Sequence, residues 1–349
     1  MKEKLKRYLL DIAQDKKKDV LSYLLKVLLT LLSYIYWLGI KIIVFLYRKG
    51  ILRSYKTQSK IVSVGNITLG GTGKTPIEIY LIRNIFSNNK VCLLASGYSE
   101  DELNLIQFNL PSVKLLSGKD RVKLTKEAER LINPDVIIID DGFQHWRLMR
   151  DIDIVVIDAL NPFGNNHLIP RGILREPLSH LKRADIFFIS KVDAATGNLT
   201  NLKERLKKLN PKALIIECRY QPLYLYEVKE DNKIELDRIK NKKVLAFCGI
   251  GSPLYFRYTL AKMGIKLDLL IEFMDHYQYK RPDIEEIIKK AKRYNSDCIV
   301  TTEKDWMRLN SEVIQMIPSE IKFYVLKIEV EITKGKERLI EYLSNLSCG

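Results

Sequence analysis

The sequence predicts an α/β protein: a mainly parallel sheet with covered faces, a second, smaller α/β lobe, and an N-terminal helix at a membrane interface. Three observations carry this. Short apolar runs near Ile61, Cys92, Val136, Val155 and Phe187 alternate with helical stretches, and strands apolar on both faces belong to parallel sheets buried under helices. One such run enters a glycine-rich turn and then a helix-like segment. The region from about Val20 to Tyr47 is strongly apolar.

That apolar segment comes first. Lys26 and Lys41 interrupt it. The uncharged run Val27 to Ile40 would be roughly 21 Å long as a helix, short of a hydrocarbon core of roughly 30 Å. At about 100° per residue, Ser22, Lys26, Thr30, Ser33, Trp37, Lys41 and Arg48 share one narrow stripe. The pattern predicts a helix lying in the interface with a wide apolar face, with a tilted transmembrane helix as the alternative. Lys16, Lys17 and Lys18 precede it and Arg48, Lys49 and Arg53 follow, placed to meet anionic headgroups. A signal peptide lacks its small-residue cleavage site here.

Next, Ile61-Val62-Ser63-Val64 reads as a buried strand, followed by a glycine-rich turn containing Gly70-Gly71-Thr72-Gly73-Lys74-Thr75-Pro76 and a helical stretch through Ile85. Strand, glycine-rich turn, Gly-Lys-Thr and helix form a P-loop. Glycines let backbone N–H groups surround phosphate oxygens, and the helix N-terminus adds positive partial charge. Lys74 would meet the β- and γ-phosphates of ATP, and the Thr75 hydroxyl would ligate Mg²⁺. One departure stands out: Thr68 occupies the position of the strict motif's first glycine.

The run Asp135 to Ile139 ends at Asp140-Asp141-Gly142-Phe143-Gln144-His145. Carboxylates at the carboxyl end of a parallel strand suit a metal–nucleotide site, so Asp140 and Asp141 are predicted Mg²⁺ ligands. Later, Ile186 to Ile189 ends at Ser190-Lys191-Val192-Asp193, which resembles the guanine-reading tetrapeptide of P-loop GTPases. A GTPase or metallochaperone is therefore one rival reading, although Asp-x-x-Gly is missing after the metal-site strand. A non-catalytic protein that binds anionic lipid and uses the P-loop as a switch is a second.

Composition narrows the setting. With 58 Lys+Arg against 42 Asp+Glu the formal charge is +16, which favours an anionic partner. Cys92, Cys218, Cys248, Cys298 and Cys348 are odd in number, widely spaced and free of C-x-x-C, which indicates neither a disulfide framework nor a zinc site. A reducing compartment follows.

At this point the residues resemble a known family, the tetraacyldisaccharide 4'-kinases of lipid A synthesis. The resemblance rests on Val64-Gly65-Asn66 through Pro76, Asp140 to His145, Phe163-Gly164-Asn165, Pro170-Arg171-Gly172 with Leu174-Arg175-Glu176-Pro177, Gly249-Ile250-Gly251-Ser252-Pro253, Asp275-His276 and Thr302-Glu303-Lys304-Asp305. It implies ATP-dependent phosphorylation of the 4'-hydroxyl of a lipid disaccharide monophosphate, by a monotopic enzyme at the cytoplasmic face of the inner membrane. Nucleic acid and an obligate protein partner are not expected. The family pairs a catalytic Asp with a His; here Asp101 would be the base, with Glu100 as the spare candidate, and His276 would orient it. The segment leading to Asp101, Ala95 to Ser99, has Ser96 in place of the family's Arg and is shortened. By the same resemblance Arg121 and Arg175 would meet phosphate, Gln144 and His145 the nucleotide or metal, and Glu176 the metal, while Lys304 and Asp305 would be structural.

The expected organisation is a membrane-associating segment at 1–56, a P-loop core at 57–212, an extended inter-lobe linker at 213–240, and a second α/β lobe with a C-terminal helix at 241–349. Asp101 and His276 would then sit on different lobes, which a hinge could close over substrate.

Overall fold

A computed structural model describes residues 8, 11–13, 15–17, 19–95, 100–195 and 197–347. Lys18, the segment 96–99 and Cys348 lie outside the described residues. A long helix, α1 (Val20–Arg48), leads into β1 (Lys60–Gly65) and α2 (Lys74–Asn84). The first lobe continues through β2 (Val91–Ala95), α3 (Glu100–Asn109), β3 (Lys114–Ser117), α4 (Arg121–Ile132), β4 (Val136–Asp140), β5 (Ile152–Asp158), β6 (Ile186–Ser190) and α5 (Leu199–Leu209). Next come β7 (Leu214–Glu227) and β8 (Asn232–Ile234). The second lobe has β9 (Val244–Cys248), α6 (Pro253–Lys262), β10 (Leu267–Glu272), α7 (Arg281–Arg293), β11 (Cys298–Thr302), α8 (Glu303–Trp306) and α9 (Ser311–Gln315). The chain closes with β12 (Lys322–Lys334) and α10 (Lys336–Ser347).

The strands form one sheet in the order β10-β9-β11-β12-β7-β6-β5-β1-β4-β2-β3, with β8 added beside β7. From β6 to β3 every pairing is parallel, as it is from β10 to β12. The two parallel halves are joined by antiparallel pairing of β7 with β12, from Tyr324 opposite Glu227 to Lys334 opposite Glu217. The stretch expected as a linker therefore begins with a 14-residue strand of the sheet. Local physics explains the elements. Strands β1, β2, β4 and β6 are buried almost throughout, which selects β-branched and aromatic residues at successive positions rather than alternation. Asp120 caps α4 by accepting from the backbone N–H of Val122 and Lys123, and Asn133 ends it with φ +42°, the left-handed conformation that asparagine tolerates. In α7, Ile284, Ile287 and Ala291 form the buried face, the three- and four-residue spacing of a helix stripe.

Two apolar layers cover the first half-sheet. One gathers Ile77, Leu81, Phe86, Ile138 and Ile154, and the other Leu124, Ala128, Ile137 and Ile139. The C-terminal helix departs from expectation. Leu339 and Leu343 of α10 pack into the first lobe's core, because β12 returns the chain along β7 to that side. Cys92, Cys218, Cys248 and Cys298 are buried free thiols, each a small apolar side chain of a strand; burial pushes the Cys92, Cys218 and Cys298 thiols up to about 12.

The first part of the polar stripe of α1, from Ser22 to Ser33, faces the protein, while Lys41 and Arg48 at its far end are exposed. Ser22 and Ser33 are buried, and Lys26 Nζ donates to the Lys17 carbonyl and pairs with Asp15 at 2.9 Å. The apolar positions are left outside, with Tyr23, Leu24, Leu31, Ile35 and Leu38 all more than half exposed.

Candidate active site

The carboxyl ends of both half-sheets border one cleft of about 690 Å³. From the first lobe it is lined by Gly70 to Pro76, Glu102, Asp140 and Asp141; from the second by Gly251, Asp275, His276 and Lys304, among others. Open parallel sheets bind ligands at their carboxyl ends, and here two such ends share one space.

The loop from Asn66 to Gly73 joins β1 to α2. Thr68 needs no glycine, because it has no positive φ and is held by an isolated bridge. Thr68 bridges Leu174 in antiparallel fashion, Leu69 N–H donates to Ile173 O at 2.7 Å, and Arg175 N–H donates to Ile67 O at 2.8 Å. Glycine is required further on. Gly73 has φ +90°, and a Cβ there would meet Tyr220 Oη at 1.7 Å. Three consecutive loop carbonyls are capped by side chains of neighbouring strands and turns. Lys191 Nζ donates to Gly71 O at 3.3 Å, Ser190 Oγ to Thr72 O at 2.9 Å, and Tyr220 Oη to Gly73 O at 3.1 Å. Thr72 N–H is spent inside the loop on Gly70 O at 3.1 Å. A peptide N–H points opposite its carbonyl, so capping the Thr72 and Gly73 carbonyls directs the N–H groups of Gly73 and Lys74 away from those caps, as a phosphate nest requires. Thr72 and Asn66 brace the loop internally, Asn66 Nδ2 donating to Thr72 Oγ1 at 3.1 Å. Lys74, Thr75 and Pro76 open α2 at the cleft.

Asp140 ends β4 and Asp141 follows with φ +55°. Asp141 Oδ1 accepts from Arg175 Nη1 at 2.6 Å and lies 3.4 Å from Lys74 Nζ. Burial raises the Asp141 carboxyl, but Lys74 and Arg175 outweigh it and hold the group at about 2. Lys74 moves upward: burial opposes its charge, and Asp141, Asp140 and Glu78 outweigh burial. Asp140 is raised, by burial first, against the pull of Lys74. Beside it lies Glu78, one turn along α2 from Lys74 and fully buried. Burial, then the charge of Asp140, raises Glu78 well above the usual carboxylate range. Glu78 is no part of any sequence motif; its signal is a charged residue four positions from Lys74 on an otherwise apolar helix face.

The second lobe completes the site. His276 Nδ1 lies 3.5 Å from Asp101 Oδ2, across the lobes. Asp101 is buried on α3, whereas Glu100 is exposed at the helix start. Arg308, which belongs to none of the sequence motifs, clamps Asp101. Its Nε donates to Asp101 Oδ2 at 2.6 Å, its Nη2 lies 2.5 Å from the same oxygen, and its Nη1 donates to Asp305 Oδ1 at 3.1 Å and Gly249 O at 2.7 Å. No sequence pattern ties an arginine at 308 to α3; only the fold brings them together. Lys304, expected to be structural, lines the cleft and donates to Glu102 Oε1 at 2.8 Å. Asp305 is wholly buried and accepts from Tyr279 Oη and Gly249 N–H at 2.8 Å each, a structural role as expected.

Several predicted residues stand back from the cleft. Arg121 is buried behind the loop, donating to the carbonyls of Ala95, Gly118 and Asp140, so its guanidinium ties β2 to β4 instead of lining the cleft. Glu176 is also buried; its carboxylate receives Arg183 Nη1 at 2.7 Å and lies 2.7 Å from His180 Nδ1. That ion cluster occupies the group expected to help a metal, and Glu176 is absent from the cleft wall. Gln144 Nε2 donates to Asn66 O at 2.9 Å and so supports the loop from below. His145 is held neutral, its ring lowered to about 4 by burial first and then by Arg121, Arg150 and Arg147. The tetrapeptide Ser190 to Asp193 is employed differently from a guanine reader. Asp193 accepts from Tyr255 Oη and Lys262 Nζ at 2.9 Å each, so it fastens the first lobe to α6.

A P-loop, paired carboxylates at the end of the neighbouring strand, and an Asp–His pair supplied across two lobes define a P-loop phosphotransferase. The model of the family described as LpxK, Tetraacyldisaccharide-1-P 4'-kinase, matches residues 25–346, and the chain belongs to that family. The tetraacyldisaccharide 4'-kinase of Halothermothrix orenii is 35% identical over 99% of this chain and 98% of its own length. That of Syntrophus aciditrophicus is 32% identical over 90% and 91%. A crystal structure of LpxK from Aquifex aeolicus, an "apo" form in complex with ATP, is 26% identical, covers 92% of this chain and 99% of that one, and superposes with a TM-score of 0.68.

Proposed function

We propose that the chain transfers the γ-phosphoryl group of ATP to the 4'-hydroxyl of a tetraacyldisaccharide 1-phosphate. The observation that carries the reading is the 3.5 Å approach of the buried Asp101 to His276, whose ring lines the same cleft as the P-loop. A sugar hydroxyl is a weak nucleophile, so a positioned base must take its proton as it attacks. The hydroxyl oxygen bonds to the γ-phosphorus, the bond from that phosphorus to the bridging oxygen breaks, ADP departs, and the hydroxyl proton passes to the Asp101 carboxylate. His276 orients that carboxylate, and Arg308 holds it in place. Lys74 and the loop N–H groups face the charge that builds on the phosphate oxygens.

Mg²⁺ fits the donors present. Asp140, Asp141 and the Thr75 hydroxyl supply hard oxygens beside the phosphate loop, and Mg²⁺ takes few protein ligands, completing its shell with water and phosphate. Bound there, it would neutralise charge on the β- and γ-phosphates.

Membrane attachment goes through α1, the helix among the described residues that is long and apolar enough to cross a bilayer. A spanning helix would be surrounded by lipid, yet α1 commits Ser22, Leu29, Ser33 and Val44 to the protein body. These contacts support a helix that lies along the interface, and the proposed side is the cytoplasmic face of the inner membrane, where ATP is available. The basic excess favours its anionic lipids.

The test is a transfer assay with labelled ATP, Mg²⁺ and the lipid disaccharide 1-phosphate in detergent. Wild type should yield labelled lipid and Lys74→Ala none. Folded wild type that gives no product, or that hydrolyses GTP without a lipid acceptor, would overturn the reading.

A further inference from the structure

The membrane helix is bonded to the phosphate site, and the contacts form an unbroken series. On the polar stripe of α1, Ser33 Oγ donates to Leu168 O at 2.8 Å and accepts from Arg171 N–H at 3.1 Å. One turn on, Tyr36 Oη donates to Arg175 O at 2.9 Å. All three bonds end on the backbone of one loop, residues 168–175. The other edge of that loop is paired with the phosphate loop, Arg175 N–H with Ile67 O and Leu69 N–H with Ile173 O. The Arg175 side chain then reaches Asn66 Oδ1 at 3.1 Å and Asp141 Oδ1 at 2.6 Å. The segment 168–175 is thus a narrow strap, held on one side by α1 and on the other by the residues that open the P-loop.

We propose that Ser33 and Tyr36 are positioning residues for ATP binding: they fix the strap that carries Arg175, so the helix that attaches the enzyme to the membrane is also part of the scaffold of its phosphate site. This rests on the kinase reading above. A helix serving only as an anchor needs an apolar outer face and any adequate inner packing. It does not need two hydroxyls directed at carbonyl groups of a single loop that is itself paired with the phosphate loop. The bonds also use the few polar positions of an otherwise apolar helix. Leu168 O keeps a second donor, Gly172 N–H at 2.9 Å, so the sharper loss falls at Arg175 O, where removing the Tyr36 hydroxyl takes away the side-chain donor of a half-buried carbonyl.

The test uses the full chain in detergent micelles with Tyr36→Phe and Ser33→Ala. The first removes only the hydroxyl and keeps the ring. Affinity for ATP, read by calorimetry, is expected to fall about three- to tenfold for Tyr36→Phe, the scale of one hydrogen bond. The KM for ATP should rise in step while kcat changes less. Flotation with vesicles of phosphatidylethanolamine and phosphatidylglycerol should be unchanged. In an Arg175→Met background, Tyr36→Phe should cost little further affinity, since both act through one strap. Unchanged ATP affinity in Tyr36→Phe, or a loss fully additive with Arg175→Met, would overturn the proposal. Wild type that binds no ATP would instead overturn the kinase reading, so the two failures are distinguishable.

Discussion

Replacing Arg308 with methionine isolates the contact that joins the lobes at the base. The Arg308 side chain is 1% exposed, and its partners Asp101 and Asp305 are 4% and 0% exposed. Methionine fills much of the same volume but leaves two buried carboxylates without their shared cation. Breaking a buried pair from one side costs about 3–5 kcal/mol, and at about 2 °C per kcal/mol for a chain of this size the melting temperature should fall roughly 6–10 °C. The assay is thermal unfolding followed by circular dichroism, run beside phosphoryl transfer. Transfer should fall as well, because the clamp that fixes Asp101 toward His276 is gone. The decisive variant is Asp101→Asn combined with Arg308→Met. Removing both partners leaves only Asp305 uncompensated, so the double variant should be more stable than the sum of the single losses by about 1–3 kcal/mol, the coupling expected of residues in direct contact. Strict additivity, or an Arg308→Met protein that melts within 2 °C or so of wild type, would refute the claim that this arginine holds the base.

Three further outcomes follow from other parts of the site. Gly73→Ala must place a Cβ 1.7 Å from Tyr220 Oη at φ +90°; backbone strain there costs on the order of 1–3 kcal/mol, and calorimetry should find ATP binding lost, with unchanged binding counting against the loop geometry. His145 is lowered to about 4 when folded, chiefly by burial, against roughly 6.5 when unfolded. The unfolded chain binds the extra proton between those values, so this contribution is complete above about pH 6.5 and is lost as pH falls toward 4. The slope of melting temperature against pH in that window should flatten in His145→Gln, and an unaltered slope would contradict the assignment. Leu31→Glu with Ile35→Glu places two charges on side chains that are 58% and 68% exposed. Vesicle flotation should drop by at least about tenfold, since each apolar side chain removed from lipid forfeits roughly 1.5–3 kcal/mol, while ATP affinity in detergent stays the same.

Much of this was legible in the chain alone. Wholly apolar strands, the glycine-rich turn before Lys74 and the carboxylates after β4 are local patterns, and each is dictated by neighbours in sequence: burial on both faces, positive φ, a strand end beside a helix start. The pairing of Asp101 with His276 was reached only through the family resemblance, since 175 positions separate them. Tertiary structure alone decided the rest. It assigned Arg308 to Asp101, turned Arg121 and Glu176 into internal ties, set Asp193 to fastening α6, returned α10 to the first lobe, and pressed Ser22 and Ser33 of α1 onto the protein instead of toward water. The physical reason is common to all of these. A charged or hydroxylated side chain declares that it needs a partner, but not which one; the partner is chosen by how β7 and β12 bring the two half-sheets, and the loops at their ends, to one place.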